Sequence, residues 1–225
     1  MRIRRRPSNL LRLAPAKGVG SFMSTSTRSA ARRFDYRTLD LVTAAMLGVA
    51  FGVAYWGWTI GYSGLEVAFN AYAPAKGLLN GPWLLAGVVA GLVVRKPGAA
   101  LLAEFVAANI EYLLGNGWGA SVMVSGLLQG LGVELVLALF LYRRFNLGVA
   151  ALAGAAAAAL ETVYEWDVYY AFWGLQSKLA YLGCFVVSGV LVAGVGGWLL
   201  VRALAETGAL DGFAAGRERR DVNRS

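Results

Sequence analysis

Six long apolar stretches constrain the fold of this chain more than any other feature of its sequence. They cover the ranges Leu39–Tyr62, Leu78–Val94, Gly98–Leu114, Trp118–Leu141, Leu147–Phe172 and Leu179–Val201. An α-helix rises about 1.5 Å per residue, so about 20 residues cross the ~30 Å hydrocarbon core of a bilayer. A soluble domain built from such stretches would expose too much apolar surface to water. The sequence therefore predicts an all-α, polytopic membrane protein with six transmembrane helices.

Polar tails flank this membrane domain, and we expect boundaries at 1–37, 38–204 and 205–225. The first tail is rich in Arg and Ser and has no acidic residue before Asp35, a composition typical of disorder. It lacks the apolar core of about 7–15 residues that a secretory signal peptide requires, and Met23 is a second plausible start of translation. The last tail is similar in character and is also predicted to be disordered.

The basic residues are divided unequally between the two sides of a six-span arrangement. Of the 21 Lys and Arg residues, only Lys76 and Lys178 fall on the side opposite to the termini. Cytoplasmic loops of membrane proteins carry an excess of Lys and Arg, so we expect a cell-membrane protein with both termini in the cytoplasm. The net charge of +8 then reflects topology and attraction to anionic lipid. Nucleic-acid binding is not expected, because no compact basic domain would carry it.

The chain lacks the residue types that several common kinds of catalytic and metal site require. It contains no histidine and a single cysteine, Cys184, which excludes disulfides within the chain, histidine-based triads and the usual zinc sites. No Gly-x-x-x-x-Gly-Lys-Ser/Thr motif occurs, so any ATP must be hydrolysed by partner subunits. Magnesium-dependent chemistry on lipid phosphates would need basic phosphate ligands, which the spans lack. We therefore expect no metal, no cofactor and no enzymatic activity.

Small residues recur four apart in several spans, most regularly as Ala44, Gly48 and Gly52 in the first. Such stripes let helix backbones approach closely in a membrane, where burial from water provides no force for association. Two interpretations stay open. The stripe either makes contacts inside this bundle or forms a docking surface for another membrane subunit.

Carboxylates inside the spans are the most informative polar residues. Six lie within or at the rim of the spans: Glu104, Glu111, Glu134, Glu161, Glu165 and Asp167. A charged side chain at the bilayer centre costs roughly 2.5–3.5 kcal/mol on insertion scales. Their spacing places them on helical faces rich in Ala and Gly, toward neighbouring helices or a cavity. Glu104 and Glu134 fall at a similar depth, where they are placed to share a proton or a hydrogen bond in a structural role.

The other acids within the spans lie nearer the middle and outer side, where aromatic residues also gather. Most of these rings are typical of an interfacial belt. The alternative is an outward-facing pocket in which carboxylates and ring faces hold a flat, cationic or amino-bearing ligand. Charge-assisted hydrogen bonds and cation–π attraction of ~0.5–2 kcal/mol per ring would bind such a ligand. An anionic ligand would be repelled.

Several motifs resemble those of one known family. Residues 104–119 read EFVAANIEYLLGNGWG and residues 125–134 read SGLLQGLGVE, with LGVAFG at 47–52 and VRKPG at 94–98. On these motifs the chain resembles the YkoE family, the S-components of energy-coupling factor (ECF) transporters that bind thiamine or its hydroxymethylpyrimidine precursor. The resemblance covers about residues 37–202. It is weaker at ETVYEW, residues 161–166, which matches only the acidic and aromatic character of the family.

The resemblance implies an S-component bundle with its substrate site near the outer face and with the loop Ser63–Gly77 as a gate. It also implies partners, namely a transmembrane T-component and two cytoplasmic ATPase domains that power import. Such subunits meet the T-component through small residues of the first span, so a docking surface is expected at Ala44, Gly48 and Gly52. The residues expected to bind substrate are Glu111, Tyr112, Gln129, Glu161, Glu165, Trp118 and Trp56.

The expected function is therefore the capture of thiamine or hydroxymethylpyrimidine as the substrate-binding membrane subunit of an ECF-type ABC importer. The alternative is a proton-coupled secondary carrier of a small organic cation, in which the same acids would relay protons. Carriers of that kind commonly show inverted repeats and broken helices, and neither is visible in this sequence. An enzyme acting within the membrane is the third and weakest hypothesis.

Overall fold

The computed structural model describes residues 35–218, which form six helical segments without any β-strand. The first five contain α1 (Thr38–Leu65), α2 (Leu85–Val94), α3 (Ala99–Leu114), α4 (Val122–Leu139) and α5 (Leu147–Val168). The sixth joins α6 (Leu175–Ser188), a π-helical stretch (Gly189–Gly196) and α7 (Gly197–Glu206). Short 3₁₀ turns occupy Glu66–Leu79, Gly81–Leu84 and Gly119–Ser121. The predicted all-α fold with six spans is confirmed; the alternative start at Met23 and the outer parts of both tails lie outside the described residues.

Length and hydropathy explain why these segments are helical. Four continuous helical stretches are long and apolar enough to cross a membrane, and the first, Thr38–Val94, contains both α1 and α2. With 16 residues, α3 extends about 24 Å at 1.5 Å per residue, in keeping with its short predicted span. Every residue of α2 from Ala86 to Val94 is buried. A helix that is apolar on all sides belongs in the interior, so α2 forms the centre of the bundle.

The small-residue stripe of α1 packs against α3. Ala44 is fully buried, and a Cβ atom on Gly48 would lie 2.6 Å from the carbonyl oxygen of Ala103. A Cβ atom on Gly52 would lie 2.6 Å from Cβ of Ile110. The structure thus shows the contact inside the bundle, and a docking role for Ala44, Gly48 and Gly52 stays a prediction. The close approach of α1 to α3 uses these positions inside the bundle.

Small residues also bring α5 against its two neighbours. A Cβ atom on Gly132 of α4 would lie 2.5 Å from Cα of Ala157. On the other side, a Cβ atom on Gly194 would lie 2.6 Å from Cα of Ala151. Gly194 belongs to the π-helical stretch, which the sequence did not predict. The alanine-rich face of α5 thus holds α4 and the sixth segment close together.

The loops Arg95–Lys96 and Arg143–Arg144 lie at one end of the bundle, which we call the basic end. There Arg95 makes a bidentate ion pair with Glu218, with N–O distances of 2.6 and 2.9 Å. The Lys96 ammonium pairs with Asp40 in the first turn of α1. These ion pairs tie the connection between α2 and α3 to both ends of the described chain.

Part of the C-terminal segment is folded at the basic end. Leu210, Phe213 and Ala215 are all buried, and a helical turn covers residues 214–218. The expectation of disorder after residue 205 is therefore corrected for this stretch, because its apolar side chains join the core cluster that also contains Leu92.

Candidate functional site

A cavity lies toward the end of the bundle opposite to the basic end, where α1, α3 and α5 end and α4 begins. About 610 Å³ of space is not filled by protein atoms here, a volume that includes the open mouth of the cavity. Its polar lining consists of Glu111, Glu161, Glu165, Asn80, Gln129 and Ser125. Its aromatic lining consists of Tyr55, Tyr62, Trp83, Trp118, Tyr169, Tyr170 and Phe185, and Ala108 and Val122 complete it.

The three carboxylates of the cavity differ in their hydrogen bonds. Glu111 accepts from the Thr59 hydroxyl at 2.7 Å and from the Trp83 indole nitrogen at 3.0 Å. Glu165 accepts from the Tyr181 hydroxyl at 2.6 Å. Glu161 is 2% exposed, and its Oε2 atom has no hydrogen-bond partner. Since no Lys or Arg is among the lining residues, the cavity offers acceptors without a counter-charge from the chain.

Three aromatic rings form one wall of the cavity. Trp83 contacts Tyr62 and Trp118 with ring centroids 5.2 and 5.4 Å apart, and all of these contacts are edge-to-face. Tyr62 and Trp118 complete the triangle at 5.7 Å. Edge-to-face packing adds about 0.5–1.5 kcal/mol to the burial of each pair. The three rings come from different segments and therefore fix the relative positions of α1, α2 and α4 around the cavity.

Of the seven residues predicted to bind substrate, five line the cavity: Glu111, Gln129, Glu161, Glu165 and Trp118. Tyr112 and Trp56 lie outside the lining and are 39% and 36% exposed. Successive residues of an α-helix point about 100° apart. Because Glu111 and Tyr55 face inward, their neighbours Tyr112 and Trp56 face outward. Neither side chain reaches the cavity in this structure, and their part in substrate binding stays a prediction.

Several lining residues were not predicted to belong to the site. Tyr55 and Tyr62 lie on the inner face of α1 at helical spacing. Thr59 lies on the same face without being part of the lining and donates to Glu111. That spacing was a usable signal. Asn80 and Trp83 lie in and beside the 3₁₀ turn before α2, where helical periodicity gives no guide to orientation.

Glu104 and Glu134 serve the packing of helices rather than the cavity. Glu104 accepts from the Gly87 backbone nitrogen at 2.7 Å and lies 3.2 Å from the Tyr55 hydroxyl. Glu134 accepts from the Ala100 backbone nitrogen at 2.8 Å. The expected bond between the two acids is not formed, because the oxygens of each accept from other donors. Asp167, expected at the rim, is exposed.

The segment between α1 and α2 packs beside the cavity. After α1 ends at Leu65, 3₁₀ turns run to Leu79 and are closed by an ion pair of 3.2 Å between Glu66 and Lys76. A Cβ atom on Gly77 would lie 2.8 Å from the Tyr181 carbonyl oxygen, so the segment lies tightly on α6. No residue from 63 to 77 is part of the cavity lining.

Metal ligands are not grouped in the part of the chain that the structure describes. Within residues 35–218, no three His, Cys, Asp or Glu side chains are placed to hold a metal ion. The carboxylates of the cavity are instead interleaved with aromatic rings and amides. This arrangement suits an organic ligand that brings hydrogen-bond donors.

Comparisons with known proteins agree with this geometry. Residues 39–160 match the family described as the permease component of an ABC-type cobalt transport system. The chain is 35% identical over 186 residues to a Bacillus subtilis (strain 168) protein named as an HMP/thiamine permease, YkoE, covering 81% of this chain and 92% of that protein. The crystal structure of an S-component of an ECF transporter matches with a TM-score of 0.79 and 33% identity, over 84% of this chain and 96% of its own. The chain therefore belongs to the YkoE family of S-components and is a substrate-binding membrane subunit of an ECF importer.

Proposed function

We propose that this S-component binds thiamine or its hydroxymethylpyrimidine precursor in the cavity. The observation that carries the proposal is the lining itself, in which three carboxylates, two amides and seven aromatic rings meet without a Lys or Arg. Both compounds contain a flat aminopyrimidine, and thiamine adds a cationic thiazolium ring. Carboxylates attract the cation and accept from the amine, while the aromatic rings pack against the flat faces. The name of the Bacillus relative points to the same two compounds.

We infer further that both termini face the cytoplasm and that the cavity faces the outside. The bias of Lys and Arg toward the basic end supports this orientation. Substrate would then enter from outside, and release would need a transmembrane T-component and two ATPase domains.

Binding to the purified protein tests the substrate. We expect full-length protein in detergent to bind thiamine or hydroxymethylpyrimidine saturably without ATP, as measured by isothermal titration calorimetry. Glu161→Gln is expected to weaken binding at least about tenfold, because one charge-assisted hydrogen bond is worth about 1.5–3 kcal/mol. Asp167→Asn is the matched control, since Asp167 is exposed and is not part of the cavity lining.

Two outcomes would contradict the proposal. The first is the absence of binding for both compounds in protein that is folded and monodisperse. The second is uptake in cells that a protonophore abolishes and that loss of the ATPase leaves unchanged. The second result would favour a proton-coupled carrier.

A further inference from the structure

Two acceptor atoms of the cavity lack a hydrogen-bond partner in the described structure. They are Asn80 Oδ1 and Glu161 Oε2. Asn80 is 6% and Glu161 2% exposed, and both residues line the cavity. Buried polar atoms are nearly always paired. These two acceptors are therefore available to a ligand that brings hydrogen-bond donors into the cavity.

The amide of Asn80 is held in one orientation from behind. Its Nδ2 atom donates to the Tyr181 hydroxyl oxygen at 2.5 Å, and that hydroxyl donates to Glu165 Oε2 at 2.6 Å. A tyrosine hydroxyl has a single proton. Because Tyr181 gives this proton to Glu165, it accepts from Asn80 and has no proton to give back. The amide nitrogen therefore faces Tyr181, and Oδ1 stays available as an acceptor.

Tyr181 is fixed by its surroundings although it is not part of the cavity lining. Its side chain is fully buried, with its ring centroid 4.8 Å from that of Tyr170 and 6.1 Å from that of Phe185. The close contact of Gly77 with the Tyr181 carbonyl oxygen restrains the backbone. The hydroxyl is therefore presented to Asn80 and Glu165 by a rigid support.

We propose, resting on the proposed function, that Asn80 Oδ1 and Glu161 Oε2 accept hydrogen bonds from the amino group on the pyrimidine ring. Tyr181 is the positioning residue that orients the Asn80 amide. An aromatic amine has two N–H protons in the ring plane and can donate one to each acceptor. An oxo group at that position has no proton and can donate to neither acceptor. Sites built around hydrogen bonds strongly reject analogues that lack the donor. The cavity thus selects an aminopyrimidine over an oxopyrimidine.

Two ligands and two variants test the inference. We expect wild-type full-length protein in detergent to bind thiamine about 100-fold more tightly than its analogue with an oxo group in place of the ring amine. Asn80→Leu removes one acceptor. We expect it to reduce the preference for thiamine over the oxo analogue to below about tenfold, mainly because thiamine binds more weakly. Both dissociation constants are measured by calorimetry.

Tyr181→Phe separates positioning from general support of the fold. The ring stays, but the Asn80 amide becomes free to turn and to present Nδ2 to the oxo group. We expect the Tyr181→Phe variant to bind the oxo analogue about tenfold more tightly than the wild type does, and to bind thiamine more weakly than the wild type does. Tyr36→Phe is the control, because it removes one hydroxyl bond, 2.6 Å to the Pro97 carbonyl oxygen, at the basic end.

The outcomes distinguish this inference from the proposed function. Suppose that thiamine binds and that both variants keep the wild-type ratio of the two dissociation constants. The recognition of the amino group by Asn80 is then overturned, whereas the proposal that the protein binds thiamine stands. If Tyr181→Phe weakens both ligands equally, the positioning role is overturned. A folded wild-type protein that binds neither ligand overturns both proposals.

Discussion

The buried carboxylates differ in what their oxygens bind, and this difference sets their roles. Glu104 and Glu134 accept from backbone N–H groups of neighbouring helices and from tyrosine hydroxyls. Glu161 keeps an unpaired oxygen at the cavity. A carboxylate whose oxygens are all engaged supports packing, whereas one with a free buried oxygen is available to a ligand.

Glu134 takes the place of a missing helix cap, which leads to a prediction about stability. α3 follows Gly98, which has no side chain to cap its first N–H groups, and Glu134 of α4 accepts from Ala100 instead. Glu134→Ala is expected to lower the free energy of unfolding by about 1–3 kcal/mol, because this buried donor is left unpaired. Glu134→Gln keeps an acceptor and should retain most of the stability. Thermal unfolding in detergent checks both, and an Ala variant as stable as the wild type would contradict the capping role.

Helical periodicity explains which site residues could be predicted from the sequence. It placed Glu111, Glu161 and Glu165 on inward faces because each follows small residues at helical spacing. It could not show which oxygens are occupied, since the partners come from other helices. Asn80 was missed because it lies outside an α-helix, where no period fixes the direction of a side chain.

At the scale of elements, hydropathy located the six spans but not their internal irregularities. The π-helical stretch Gly189–Gly196 continues α6 without a break in apolar character, so the sequence shows one uniform span there. The stretch Ser63–Gly77 was predicted as a loop. The structure instead continues α1 to Leu65 and then forms 3₁₀ turns over Glu66–Leu79, which Tyr72 interrupts with a φ of −147°. Its structure follows from packing on α6, which local sequence does not contain.

The contact between α1 and α3 leads to a prediction with a control in the same helix. Gly48→Ala places a Cβ atom 2.6 Å from the Ala103 carbonyl oxygen, whereas Gly57→Ala meets no atom within 4 Å. We expect Gly48→Ala to destabilise the protein by about 1–3 kcal/mol through overpacking. Gly57→Ala should lie within about 0.5 kcal/mol of the wild type. Both are measured by thermal unfolding in detergent. A Gly48→Ala variant that is as stable as the wild type but fails to assemble with a T-component would contradict the packing role and favour the docking interpretation.

Charge is distributed unevenly along the long axis of the helical bundle. The basic end combines cationic loops with the ion pairs of Arg95 and Lys96, whereas the cavity at the other end contains acids without a counter-charge. A substrate that is cationic or carries an amine would be attracted to the cavity end. Uptake from outside therefore requires that the basic end be cytoplasmic, as the distribution of Lys and Arg predicts.

Thiol labelling in intact cells tests this orientation. Cys184 is the only cysteine of the chain, so Cys184→Ser provides a background without thiols. Gly117→Cys marks the cavity end and Arg144→Cys the basic end, and both positions are exposed. In the six-span arrangement predicted from the sequence, 18 of the 20 basic residues that remain after Arg144→Cys still fall on the side of the termini. This substitution should therefore leave the topology unchanged. We expect a membrane-impermeant maleimide to label position 117 in intact cells and position 144 only after permeabilisation; the reverse pattern would place the cavity toward the cytoplasm and remove the basis for import through it.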